Sequence, residues 1–169
     1  HQIAVLDGGW QKWLKESLPI RSGNECGLPI PISPCSPDKS YYVSANQVLN
    51  AISNAETRII DVRTPERYRG EVEPIDPIAG HIPGALNRPT SLNLTSDGVF
   101  KQPTQLRSEI QSLLEDTLPE NTIIYCGSGV TSCHLVLAME IAGIGAAKIY
   151  AGSWSEWIRD LKRPVEKTE

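Results

Sequence analysis

With 169 residues, 40% of them apolar and 21% charged, the chain has the composition of an ordinary globular domain with some length to spare. No apolar run approaches the length of a membrane span, a net charge of −4 argues against a nucleic-acid surface, and four cysteines without Cys-x-x-Cys spacing make neither a disulfide scaffold nor a metal knuckle. A reducing cytoplasm is the expected compartment, since no signal peptide is visible, and neither a cofactor nor a metal ion is expected.

In chain order, Val5-Leu-Asp-Gly-Gly-Trp10-Gln-Lys-Trp13-Leu14 aligns without a gap on Ile149-Tyr-Ala-Gly-Ser-Trp154-Ser-Glu-Trp157-Ile158. Each reads as a short apolar strand, a glycine turn and a helix carrying Trp-x-x-Trp, and the repetition predicts a domain-sized internal repeat. Residues 1–20 are therefore expected to be the tail of a preceding copy, with the chain starting inside a longer tandem protein. Residues 21–43 hold Pro29, Pro31, Pro34 and Pro37, which sustain neither helix nor central strand and predict a linker. Cys26 and Cys35 fall within it.

From residue 44 on, the pattern alternates. Ser44 reads as the N-cap of a helix to about Ala55, with Val48, Leu49 and Ile52 on one face. A buried strand follows over 58–62, then a short helix with Thr64 as cap and Pro65 in its first turn. Pro74 and Pro77 make 70–80 a loop, His81 to Asn87 runs into a short strand, and Asp97-Gly98 marks a turn in the irregular stretch 89–104. A helix is predicted over 105–114, a strand over 122–125, a helix over 132–142, a strand over 148–150 and a closing helix after Gly152. Short buried strands alternating with helices predict an α/β fold with a largely parallel sheet, whose ligand crevice lies beyond the carboxyl ends of its strands.

The stretch around which the rest is organised is Thr122-Ile-Ile-Tyr125, then Cys126-Gly-Ser-Gly-Val-Thr131, then the helix from Ser132. It puts a thiol where a strand hands over to a helix. The first turn of a helix leaves amide N–H groups without partners and carries the positive end of the dipole, and a loop with two glycines can curl its own amides inward as an anion nest. Both favour thiolate, the nucleophilic form. A cysteine used only for packing needs neither glycines nor hydroxyls beside it.

Asp61, Arg63 and Cys126 all stand at or just after predicted strand ends and are expected to converge. Arg63, Arg67 and Arg88 lie near two such ends, where guanidinium groups would hold an anionic substrate. Arg69 is equally suited to a surface ion pair with Glu66, Glu71 or Glu73. Asp61, ending a buried strand, is expected to hold Arg63 or loop amides, and His81 to be a structural hydrogen-bonding histidine rather than a partner of the thiol. Cys133 and His134 lie inside the helix, and packing in the core or on the surface is expected of both. Ser128 and Thr131 present hydroxyls beside Cys126, where one can donate to charge developing on a leaving group. A tyrosine-phosphatase type of loop is excluded, because Cys-x5-Arg is required and Ser132 stands at the arginine position.

Taken together, Asp61-Val-Arg63, His81-Ile-Pro-Gly-Ala85, the six-residue Cys126 loop and Gly152-Ser-Trp-Ser-Glu-Trp157 resemble the rhodanese family of sulfurtransferases, in that family's order. The likeness covers roughly residues 44–169, and residues 1–20 are similar to the end of the inactive first domain of two-domain members. It implies a rhodanese-like α/β fold, a central largely parallel sheet flanked by helices on both faces, with a catalytic Cys126 that carries sulfur as a persulfide and a Ser128 that assists the leaving group. Arg67 falls on the family's substrate-binding arginine, and Gly127, Gly129, Val130 and Thr131 complete the cradle. The implied partners are a small anionic sulfur donor, a thiol, cyanide or thioredoxin-like acceptor, and an N-terminal rhodanese-like domain of the same protein. The loop is similar to that of members using 3-mercaptopyruvate; members using thiosulfate more often carry basic residues where Gly127 and Ser128 stand. Glu73-Pro74-Ile75 departs from the Glu-Pro-Arg usual in mercaptopyruvate enzymes, so carboxylate binding there falls to another group such as Arg88, or the donor differs. A rhodanese module that only carries sulfur or docks a partner is the alternative.

Overall fold

The computed structural model of the chain describes residues 4–24, 27, 36 and 38–168. Cys26, Cys35 and the linker prolines Pro29, Pro31, Pro34 and Pro37 lie outside the described residues.

Four short strands, β1 (Arg58–Asp61), β2 (Leu86–Asn87), β3 (Thr122–Tyr125) and β4 (Lys148–Ile149), form one sheet in the order β2-β1-β3-β4. All three pairings are parallel, with Ile60 opposite Ile124 and Asp61 opposite Tyr125 at the centre. Side chains alternate across a strand, and the sheet divides its apolar residues accordingly. Ile60 and Ile124 face one core with Leu106, Ile110, Leu135 and Met139 from α4 (Pro103–Leu114) and α5 (Ser132–Ile141). Ile59, Ile123 and Tyr125 face the other with Val48 from α2 (Ala45–Ala51) and Trp154 and Trp157 from α6 (Ser153–Trp157). Every residue of β3 is buried, as expected of a strand covered on both faces.

The helix boundaries have local causes. Ser44 and Gln47 form a reciprocal capping box at the start of α2. This helix ends four residues before the expected Ala55: the Asn54 amide donates to the Ala51 carbonyl in a tighter turn, and the Asn54 side chain accepts the Glu56 amide beyond it. Helix α3 (Pro65–Arg69) has proline in its first turn as predicted, but Thr64 makes no side-chain cap. Helix α4 starts two residues earlier than its apolar spacing suggests because Pro103 suits the first turn.

The amino-terminal stretch departs from its expected form. Helix α1 (Gly9–Lys15) is present, but residues 4–6 form no strand. A strand exists only against a neighbour that completes its hydrogen bonds, which Lys148 and Ile149 find in β3. Trp10 is 57% exposed and Leu14 42%, whereas Trp154 and Trp157 are fully buried.

Candidate active site

Strand β3 carries Cys126 to the carboxyl edge of the sheet, beside the end of β1 that carries Asp61 and Arg63. Cys126 is 2% exposed. It lines a cavity of about 270 Å³ together with Arg67, Asp76, Ser128, Thr131 and Ser155.

Around the sulfur, the loop turns its donors inward. The Gly129 amide donates to Cys126 Sγ at 3.1 Å, and the amides of Ser128 and Ser132 also serve the sulfur. Gly129 has φ of 87°, and a Cβ there would collide with the Ala151 carbonyl oxygen, so only glycine fits this turn. The loop carbonyls are occupied elsewhere. Those of Cys126 and Gly127 accept from the Trp154 and Ser155 amides at 3.0 and 2.9 Å, and that of Gly129 accepts from Ser132 Oγ at 2.6 Å.

Ser153 supports the thiol from beneath. Its hydroxyl accepts the Cys126 amide at 3.1 Å, donates to the Tyr150 carbonyl at 2.9 Å and lies 3.9 Å from Sγ. Its φ of 52° is unusual for a non-glycine residue. Burial alone would raise the Cys126 thiol, but the Ser128, Ser132 and Gly129 amides outweigh it, and the group titrates below its ordinary value. A lowered thiol is ionised over more of the neutral range. Alkylation of Cys126 by iodoacetamide is therefore expected to plateau at a lower pH than for a free cysteine of pKa about 8.5. Gly129→Ala, which displaces one donor, is expected to move the profile to higher pH. Mass analysis of the Cys126 peptide against pH reads both, and an unmoved profile in the variant would deny the amide its role.

The opposite wall is an ion network. Asp61 is fully buried and accepts from the Arg63 amide at 2.9 Å, from Arg63 Nε at 3.1 and 3.0 Å and from Nη2 at 2.6 Å. Arg63 Nη2 also donates to the Gly80 carbonyl at 2.6 Å and Nη1 to Glu73 at 3.2 Å, and the guanidinium lies 4.6 Å from the Trp154 ring. Burial disfavours the Arg63 charge, but Asp61 more than offsets it and holds the group above its ordinary value. Asp61 thus holds Arg63 by its amide and its guanidinium. Arg63, expected to bind substrate, also lines the cavity, with its side chain 1% exposed and its donors given to Asp61, Gly80 and Glu73.

Arg67 reaches the cavity with one edge held. Its Nε and Nη2 donate to Glu73 at 3.1 and 2.6 Å, and Nη2 lies 3.4 Å from Asp76 Oδ2. Glu73 is buried, yet Arg67 and the Asp76 and Ile75 amides overcome that penalty and keep its carboxyl below the ordinary range. Ser155 Oγ donates to Asp76 Oδ1 at 2.9 Å.

Two further candidates are placed away from the thiol. Arg88 does not line the cavity; its Nε donates to Asn93 and its Nη2 to Glu109, both at 3.0 Å, so it braces the turn after β2 against α4. His81 stacks on Tyr68 with ring centroids 3.9 Å apart, and its Nδ1 lies 2.7 Å from the Tyr68 carbonyl, the structural role expected. Val130 sits on the loop but projects outward, 76% exposed. Arg69 pairs with Glu71 on the surface, and His134 stacks on Phe100. The functional residues not anticipated are Ser153, Asp76, Ser155 and Glu73. Ser153 and Ser155 lie inside the Gly152-to-Trp157 motif, where the tryptophans drew notice, and the proline-flanked acids of the 70–80 loop gave no periodic signal.

A parallel α/β domain that offers a thiol in a ring of backbone amides, facing a guanidinium across a small cavity, defines a class of nucleophilic-cysteine domains. The rhodanese-like domain model matches residues 44–160, and the chain belongs to that family. It is 41% identical over 163 residues to a probable 3-mercaptopyruvate sulfurtransferase of Pseudomonas aeruginosa, covering 96% of this chain and 57% of that one. It is 35% identical over 159 residues to the 3-mercaptopyruvate sulfurtransferase of Mus musculus and 36% over 161 residues to the thiosulfate sulfurtransferase of Rattus norvegicus, in each case covering 93% of this chain and 53% of the other. The chain thus spans about half the length of the curated relatives it matches. The wild-type structure of EanB is similar in fold, with a TM-score of 0.82 at 20% identity over 97% of this chain and 40% of that one. Among the described residues no helix is long and apolar enough to cross a membrane.

Proposed function

We propose that the chain is the catalytic domain of a sulfurtransferase that moves a sulfur atom from a small anionic donor, 3-mercaptopyruvate or thiosulfate, to a thiophilic acceptor through a persulfide on Cys126. The support is the geometry at Sγ: the Gly129 amide at 3.1 Å in a cavity shared with Arg67. The Cys126 thiolate attacks the donor sulfur and forms an S–S bond. With mercaptopyruvate the C–S bond breaks and its electron pair leaves as the enolate of pyruvate, which takes a proton from water, with Ser128 Oγ donating to the enolate oxygen. With thiosulfate the S–S bond breaks and sulfite leaves. A thiolate, cyanide or the thiol of a thioredoxin-like protein then attacks the outer sulfur, and Cys126 departs as thiolate.

Residues 1–20 and 21–43 are the tail of a preceding rhodanese-like repeat and a linker, and the protein works in the cytoplasm. Such a preceding domain supplies the other wall of the crevice, and residues 44–169 produced alone are expected to turn over more slowly than a protein carrying both. The test is intact-mass spectrometry after incubation with each donor separately, then with cyanide. Gain of one sulfur atom, removed by cyanide, is the expected result, and whichever donor loads the protein is the substrate. No added sulfur from either donor would reject catalysis in favour of a docking module.

A further inference from the structure

Glu73 stands at the junction between the framework and the cavity. Its side chain is 3% exposed, and it accepts from Arg63 Nη1, from Arg67 Nε and Nη2 and from the amides of Ile75 and Asp76, at 2.6 to 3.2 Å. A guanidinium can meet a carboxylate along its Nε/Nη2 side or its Nη1/Nη2 end. Glu73 takes the side, and Asp76 lies against the remaining reach of Nη2. The Nη1/Nη2 end of Arg67 faces the Cys126 loop, Nη1 3.5 Å and Nη2 3.7 Å from where a Cβ of Gly127 would sit, and of these two only Nη1 has no protein partner among the described residues.

We propose that Glu73 is a positioning residue that selects the edge of Arg67 presented to the ligand, so that the anionic end of a small molecule is met by Nη1 beside Gly127. This rests on the site taking an anionic ligand, as the sulfur-transfer reading requires. It also explains how one arginine suffices where Ile75 stands. Arg67 carries long, rotatable methylenes, and an unclamped guanidinium would spread its charge over many positions. Glu73 is itself anchored by two backbone amides and by Arg63, which Asp61 fixes in turn. The edge is thereby set from the sheet outward.

Alkylation of Cys126 separates this role from sulfur transfer. Iodoacetate carries a carboxylate where iodoacetamide carries a neutral amide of the same shape, so the ratio of the two rates at the Cys126 peptide reads the grip of Arg67 on an anion. In the full chain, Glu73→Gln is expected to lower that ratio about tenfold, the worth of one charge-assisted hydrogen bond, while the iodoacetamide rate stays within about twofold. Arg67→Ala is expected to lower the ratio at least as far, and adding Glu73→Gln to it to change the ratio no further. Glu73→Asp, which keeps the charge but withdraws it by a methylene, is expected to give part of the Glu73→Gln loss. An unchanged ratio in Glu73→Gln, equal slowing with both reagents, or a second loss in the double variant would each overturn the assignment. These outcomes stand whether or not a persulfide forms, and a protein that shows the ratio change without gaining sulfur rejects sulfur transfer alone.

Discussion

Cys126→Ser is expected to take up no sulfur from mercaptopyruvate or thiosulfate and to lose sulfur transfer by about a thousandfold or more. The substitution alters one atom, and each element of the site states what that atom does. The amides of Ser128, Gly129 and Ser132 are arranged to favour an anion on Sγ, but a serine hydroxyl is too weak an acid for those few hydrogen bonds to ionise it at neutral pH. Even an alkoxide would have to form an O–S bond to the transferred atom in place of the stable S–S bond of a persulfide. The cavity, the Arg67 guanidinium and the loop backbone all survive the change, so a fold-level explanation is excluded if thermal melting is unaltered. Cys133 is the natural control. It is an exposed cysteine on the first turn of α5, 3.8 Å from the Gly129 carbonyl, and Cys133→Ser is expected to load sulfur as the parent does. Turnover that persists in Cys126→Ser, or sulfur found on Cys133, would remove Cys126 from the mechanism.

Much of this was legible in the sequence because the features were local. Thr122 to Tyr125 is a β-branched run ending at a glycine-containing loop, and its strand, loop and helix fall where the pattern put them. Asp61 and Arg63 were readable as a pair because a carboxylate at the end of a buried strand requires a partner and the nearest guanidinium is two residues away. What could not be read was the direction of long side chains. Arg63 and Arg88 carry the same charge as Arg67 and lie near the same strand ends, but Asp61 draws the first into the framework and Glu109 draws the second toward α4. Those choices depend on contacts between residues distant in sequence, as does the approach of Ser153 to the Cys126 amide across 27 positions. The strand expected in residues 4–6 failed for the same reason. An apolar stretch becomes a strand only when another strand lies beside it, and among the described residues none lies beside 4–6.

Asp61→Ala is expected to be the most destabilising single change at the site, costing about 3–5 kcal/mol, a large share of the roughly 5–15 kcal/mol that holds a domain of this size. The carboxylate is fully buried and the Arg63 side chain is 1% exposed. Removing the anion does not simply delete an ion pair; it leaves a guanidinium in the interior with Glu73, the Gly80 carbonyl and the face of Trp154 as its remaining partners. The arginine lines the cavity but its side chain is only 1% exposed, so water replaces the lost carboxylate poorly. Two comparisons distinguish a stranded charge from lost packing. Asp61→Asn keeps the volume and one acceptor oxygen and is expected to recover part of the stability. Asp61→Leu combined with Arg63→Met removes both charges and is expected to be more stable than Asp61→Ala alone, because the desolvation penalty of the cation disappears with it. Urea unfolding followed by tryptophan fluorescence measures all three, with Trp154 reporting directly beside Arg63. The functional consequence follows the same bonds outward. Arg63 holds Glu73 and Glu73 holds Arg67, so the double apolar variant, although folded, is expected to show the loosened anion grip of Glu73→Gln. Stability loss below about 1 kcal/mol in Asp61→Ala, or an undiminished iodoacetate preference in the double variant, would mean that the buried pair does not support the cavity wall.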